Sequence, residues 1–239
     1  KQLAHFLFGS EEKLVSINMA EFTEAHSVSK LIGSPPGYVG YNDIPIFSST
    51  ILENPSALLL LDEIEKAHPE VLKLFLEIFD DGKVRDTQGR VIYFSNVTII
   101  MTSNAGCRAE GGIGFGKDTA EAVSDAVDLA QFFPVEFLNR IDEIIMFNPI
   151  EKDTARNILK NLLIKRAKKT FEKRGIQVDF DLLFVEYIVE RGFSLKYGVR
   201  NLERMFEKEV LATAANYLFE NPGNKTLLIT AEGGKVKVV

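Results

Sequence analysis

The sequence predicts a layered α/β domain with a largely parallel sheet flanked by helices, followed by a smaller helical and α+β unit. Three observations carry that reading. Short apolar strands alternate with helical patterns through the first half; one of them, LLLLDE at 58–63, is unbroken leucine up to its acidic end, as a buried parallel strand is; and long helical stretches take over after Asn148-Pro149. A boundary at that point gives two domains, 1–148 and 149–239, each with enough apolar content for a core.

In chain order, KQLAHFLFGS at the start reads as the end of a helix and KLVSINM (13–19) as a strand. HSVSKLIG (26–33) reads as a short helix, and the Pro/Gly-rich SPPGYVGY (34–41) as a loop. After the acidic strand, HPEVLKLFLEIFDDG (68–82) places Val71, Leu72, Phe75, Leu76, Ile78 and Phe79 on one helical face and stops near Gly82. RVIYF follows, then NVTIIMTSNAG, a second buried strand that breaks into a polar loop at 102–106. CRAEGGIGFGKDTAE (107–121) is Gly-rich without apolar periodicity and reads as an exposed loop. Beyond the boundary, helical patterns cover 151–174, 181–191 and 198–220, and TLLIT and KVKVV are short strands.

Composition narrows the function classes. The 28 basic and 34 acidic residues leave a net charge of −6, without the basic footprint that nucleic acid demands. Cys107 stands alone and no Cys/His cluster has zinc spacing, which fits a reducing, cytoplasmic setting without a structural metal. No apolar run approaches the roughly 20 residues that cross a bilayer, and no signal-peptide pattern opens the chain. The sequence reads as a soluble piece of something longer.

The acidic strand end is the most chemically pointed feature. An apolar strand that ends in Asp62-Glu63 suits a site where one acid holds Mg²⁺ and the next orients a water for phosphoryl transfer. Side chains alternate along a strand, so the two carboxylates are expected on opposite sides. A core strand surfacing at an acidic loop has the same spelling, and the rest of the chain decides between the two.

Four features fall in one order: the acidic strand end, a strand ending in Thr102-Ser103-Asn104, FLNRID at 137–142 and YGVRNL at 197–202. Together they resemble the second ATPase module of the Clp family of AAA+ unfoldases, over essentially the whole chain. The resemblance implies an ATPase that uses ATP and Mg²⁺, with Asp62 on the metal and Glu63 polarising the attacking water. It implies Asn104 as the polar sensor of the γ-phosphate and Arg140 as the arginine finger that acts on a neighbouring subunit's nucleotide. In isolation Asn104 reads equally as the start of an Asn-Ala-Gly turn, and Arg140 as the partner of Asp142 or Glu143 in a surface pair. Arg200 matches the second sensor, with Val199 where the family commonly has Ala, and Ile158 matches a position lining the adenine pocket.

The same resemblance makes Gly37, Tyr38, Val39 and Gly40 the loop that grips substrate in a central pore, with Tyr38 as the paddle and DDGKVRDTQGR (80–90) as a second, polar loop. It implies a homo-oligomeric, six-membered ring that threads unfolded polypeptides, with neither nucleic acid nor membrane as partner. The phosphate-binding GxxxxGK with Ser or Thr is expected upstream of Lys1. The near match at Gly111 to Asp118 lies after the acidic strand, lacks a leading strand and ends in a carboxylate, so it is rejected as a phosphate loop. Within it, Ile113-Gly114-Phe115 resembles the tripeptide by which the ClpA/ClpC-like branch docks on a ClpP-type peptidase. That favours a degradation motor over a ClpB-like disaggregase. A non-hydrolysing ring-assembly module is the remaining alternative, and NDIPIFSST at 42–50, where relatives usually carry Gly-Gly, leaves the branch open.

Overall fold

The computed structural model describes residues 1–105, 129–194 and 198–239. Ile113, Gly114 and Phe115, Cys107 and the Gly111 to Asp118 near match lie outside the described residues. Of the described residues, 1–105 and 129–144 fall in one compact unit and Ile145–Val239 in another.

The first unit starts with α1 (Gln2–Phe8), which stops at Gly9, held at a φ of 76° that glycine adopts without cost. Its main sheet is wholly parallel, in the order β1 (Leu14–Asn18), β2 (Ala57–Asp62) and β5 (Val97–Met101). The central strand, β2, carries the apolar run, and Ala57, Leu58, Leu59 and Leu61 are buried. A strand paired on both edges and covered on both faces reads as continuous hydrophobic sequence, and the expected parallel sheet is the one observed. Between β1 and β2 lie α2 (Val28–Ile32) and α3 (Ile46–Thr50), the second of which was not expected. Its Phe47 is fully buried, edge-on to Phe75 (6.1 Å) and Phe94 (5.2 Å), so three aromatic rings from separate segments fix the core.

Helix α4 (Pro69–Asp81) follows β2, bounded as its sequence dictates. The His68 ring accepts from the Glu70 N–H at the N-cap, Pro69 occupies the first turn, and Gly82 ends the helix at a φ of 64°. Val71, Leu72, Phe75 and Ile78 are buried as the periodicity requires, and Leu74 joins them. The 80–90 stretch, expected as a loop, instead contains β3 (Lys83–Arg85), which forms an antiparallel hairpin with β4 (Val91–Tyr93). Val84 and Ile92 pair on its buried face, and the polar flanks had hidden the strand. Helix α5 (Val135–Leu138) closes the unit, with Phe137 in the core.

The second unit has its own core. Its first helical run is α6 (Lys152–Ile158), a π-helical turn at Leu159–Leu163, and α7 (Ile164–Glu172), where one unbroken helix was expected. Then come β6 (Gln177–Phe180), α8 (Leu182–Gly192), α9 (Gly198–Glu220), β7 (Thr226–Glu232) and β8 (Lys235–Val238). The sheet order is β6-β7-β8, parallel then antiparallel, so two anticipated strands became three. Strand β6 escaped notice because only Val178 of its four residues is buried. Phe180, Phe184 and Phe206 pack with centroids 5.3–6.0 Å apart at the centre of this unit. No helix among the described residues is long and apolar enough to cross a membrane.

Candidate active site

Three parallel strands end together at their carboxyl termini, with Asn18 in register with Asp62 and Leu61 with Met101, which places Thr102 beside Asp62. In open α/β sheets this edge is where ligands bind, because the strands deliver polar residues there from a rigid base. Asp62 is the last residue of β2 and exposed. Its side-chain partner among the described residues is the Thr102 hydroxyl, which donates to Oδ1.

Glu63 does not continue the strand. It sits at φ 57° and ψ 50°, the left-handed region, and is the lone non-glycine residue with positive φ among those described. The expected alternation of the two carboxylates along a strand is therefore corrected. They diverge because the chain turns at Glu63, a conformation that costs an L-residue about 1 kcal/mol or more. The Glu63 carboxylate accepts from Lys66 Nζ at 2.6 Å, and that hydrogen bond raises the Lys66 pKa. Strained backbone beside a metal-competent carboxylate is a mark of a functional site.

Asn104 is exposed in the turn after β5, and its N–H donates to Glu65 Oε1 at 3.2 Å. The other Glu65 oxygen is buried and has no hydrogen-bond partner among the described residues. Asp62, Glu63 and Asn104 thus lie at or just beyond two adjacent strand ends. Thr102, Glu65 and Lys66, which tie them together, had not been singled out; the Thr102-Ser103-Asn104 string and the acid-rich DEIEK were the available signals.

Arg140, exposed just after α5, pairs through Nε with Asp80 in the last turn of α4, and its Nη2 lies 3.5 Å from the other Asp80 oxygen. Asp142 and Glu143, its expected alternatives, are not the partners found. The Asp80 hydrogen bond raises the guanidinium's pKa, so the charge on Arg140 is fixed.

The 34–41 segment is a succession of turns, with Gly37 and Gly40 at φ 86° and 87°. Tyr38 is 71% exposed and Val39 fully so. An aromatic and a valine held out by two left-handed glycines have no core role here. At the foot of this loop, the Thr87 N–H donates to the Ile32 carbonyl at 2.9 Å, tying the loop to the β3–β4 hairpin.

Ile158, Val199 and Arg200 belong to the second unit. Ile158 is half-buried where α6 passes into the π-helical turn, Val199 packs against that unit's core, and Arg200 is exposed in the first turn of α9. Among the described residues no cluster of three or more His, Cys, Asp or Glu forms a metal site. Asp62 nonetheless fits Mg²⁺: it is an exposed hard-oxygen donor with a single hydroxyl partner, and Mg²⁺ bound with nucleotide takes one or two carboxylates plus phosphates and waters.

Residues 1–144 match the model of an AAA domain (Cdc48 subfamily), and residues 150–229 match that of the C-terminal, D2-small domain of ClpB protein. The chain is 40% identical over 98% of its length to the ATP-dependent Clp protease ATP-binding subunit ClpE of Streptococcus pneumoniae. It is 40% identical over 92% of its length to the chaperone protein ClpB of Mycoplasma genitalium, and 37% identical over its full length to a ClpA homolog of Guillardia theta. It spans 31%, 30% and 31% of those proteins, about a third of each.

Proposed function

The chain is a member of the AAA domain family, in a second ATPase module of Clp type, and from that premise we propose that it powers protein unfolding by hydrolysing ATP at the carboxyl end of β2. The observation that carries the reading is the divergence of Asp62 and Glu63, one ending the central strand and the next thrown off it by a left-handed turn. Bound Mg·ATP supplies the transferable phosphoryl group and the neutralising charge. Asp62 holds the metal. Glu63 orients the attacking water and takes its proton, which requires its carboxylate to give up or share Lys66. Asn104 contacts the γ-phosphate or the water from the neighbouring strand end.

Arg140 serves the nucleotide of an adjacent copy in a six-membered cytoplasmic ring, and by the family's pattern Arg200 is the second phosphate sensor, with Val199 and Ile158 among the nucleotide-binding positions. In such a ring Gly37, Tyr38, Val39 and Gly40 face the pore, where an exposed aromatic grips an extended chain without reading its sequence. Ile113-Gly114-Phe115 supports delivery to a ClpP-type peptidase. The ClpB-type small-domain match favours a second reading, a disaggregase.

ATP hydrolysis and unfolding of a stable fluorescent substrate, measured together on the full-length protein, test the proposal. Tyr38→Ala is expected to keep hydrolysis and lose unfolding at least 10-fold; unimpaired unfolding contradicts the gripping role. Phe115→Ala is expected to abolish peptidase-coupled degradation while unfolding persists; degradation that continues contradicts the docking role, and a parent protein that supports no peptidase-coupled degradation favours the disaggregase.

A further inference from the structure

Every hydrogen-bonding group of Thr102 is engaged with the four residues that carry or flank the acid pair. Its N–H donates to the Leu61 carbonyl at 2.9 Å, and its carbonyl accepts from the Ile64 N–H at 3.0 Å. Its hydroxyl donates to Asp62 Oδ1 and accepts from the Glu63 N–H at 3.3 Å. The backbone bonds bracket the turn from both sides, and they would survive any side-chain change. The hydroxyl contributes something different: one oxygen is donor to the first carboxylate and acceptor from the backbone of the second acid.

Those two bonds address the two least self-sufficient features of the site. Asp62 is exposed and has no other side-chain partner among the described residues, so without the hydroxyl its carboxylate samples several rotamers. Glu63 is held in a conformation an L-residue avoids, and the bond to its N–H helps to offset that preference. A carboxylate that must meet a metal and a neighbour that must meet a water need their separation fixed, and about 1 Å of misplacement costs on the order of 100-fold in rate.

We infer that Thr102 is the positioning residue of the acid pair, its hydroxyl setting the Asp62 carboxylate and the Glu63 backbone at once. The inference rests on the proposed hydrolytic role of Asp62 and Glu63, and extends it to a residue whose hydroxyl bonds both acids. The side chain's requirement follows from its two bonds. Serine keeps both, valine keeps the shape and loses both, and asparagine at this position reaches too far from the strand to repeat the geometry.

The test compares Thr102→Val, Thr102→Ser and Glu63→Gln in the full-length protein. The part of the steady-state ATP turnover that Glu63→Gln removes defines this module's share. Thr102→Val is expected to remove at least nine tenths of that share through kcat, and to raise the Mg²⁺ concentration for half-maximal rate several-fold. Nucleotide affinity measured without Mg²⁺ should stay within about 2-fold, which a general loss of structure would not allow. Thr102→Ser is expected to restore turnover to within about 2-fold. Full turnover in Thr102→Val, or a Thr102→Ser protein as impaired as Thr102→Val, overturns the positioning role, while loss of turnover in Glu63→Gln leaves the underlying reading intact. If Glu63→Gln removes no turnover, both the reading and the inference built on it fail.

Discussion

Asp62 and Asp86 lie in the same unit, each where the chain leaves a strand, yet the fold treats their carboxylates in opposite ways. The Asp86 side chain is fully buried at the tip of the β3–β4 hairpin, where it accepts from the Ser48 hydroxyl, the Gln88 and Arg90 N–H groups and Arg90 Nε at 2.6–3.0 Å. Burial pushes its pKa up, but the Arg90 side-chain and backbone bonds, Ser48 and the Arg90 charge together hold it below the usual carboxylate range. Asp62 is exposed, with the Thr102 hydroxyl as its partner. A carboxylate whose acceptor sites are filled by protein is a structural part; one left open at the end of a central parallel strand is available for chemistry.

Isosteric amides separate the two roles. Asp62→Asn is expected to lower this module's share of Mg²⁺-dependent ATP turnover, the part that Glu63→Gln removes, at least as far as Glu63→Gln does, while the thermal midpoint of the full-length protein stays within a degree or two. A large stability loss would make Asp62 a second Asp86. Asp86→Ala is expected to do the reverse, destabilising the first unit by about 3 kcal/mol through loss of a buried, charge-assisted network. Its pH dependence has a definite sign. A carboxyl whose folded pKa lies below its unfolded value of about 3.9 contributes stability above that pH and loses it as pH falls through the folded pKa. The gap in denaturation midpoint between the parent protein and Asp86→Asn should therefore be constant from pH 7 to 5 and close below about pH 4.

A smaller effect is expected where the hairpin meets the 34–41 loop. Gly33 has a φ of 99°, and a Cβ there would fall 2.3 Å from the Thr87 hydroxyl. Gly33→Ala is expected to cost about 2 kcal/mol and to impair unfolding more than hydrolysis, which substrate-unfolding and ATPase assays distinguish. Smallest of all is Lys73→Ala on the solvent face of α4. It breaks an exposed i,i+3 pair with Glu70 and should leave the thermal midpoint unchanged within measurement error.

The parallel sheet and α4 were legible because their signals are local: four leucines in a row, a helical face from Val71 to Phe79, and a proline and a glycine at the helix ends. Asp62, Glu63, Asn104 and Arg140 were singled out as candidates by the order of short motifs. What joins them was not. Glu63 adopts a glycine-like conformation without being glycine, and Thr102 acts on it from 39 residues away, a distance no periodicity crosses. Arg140 finds Asp80 across 60 residues, although nearer carboxylates were available. Strand β6 alternates polar and apolar over only four residues, Gln177 to Phe180, too short a run to stand out in sequence, and pairing with β7 completes it.

The central claim is that Glu63, turned off the strand beside Asp62, activates the water that cleaves ATP. It is tested most directly by loading the full-length Glu63→Gln protein with γ-labelled ATP and following the label's fate over a single turnover. Retention of bound, uncleaved ATP in amounts matching the parent's binding capacity at this module is the predicted result. Release of labelled phosphate at the parent's rate, with all modules occupied, would contradict it.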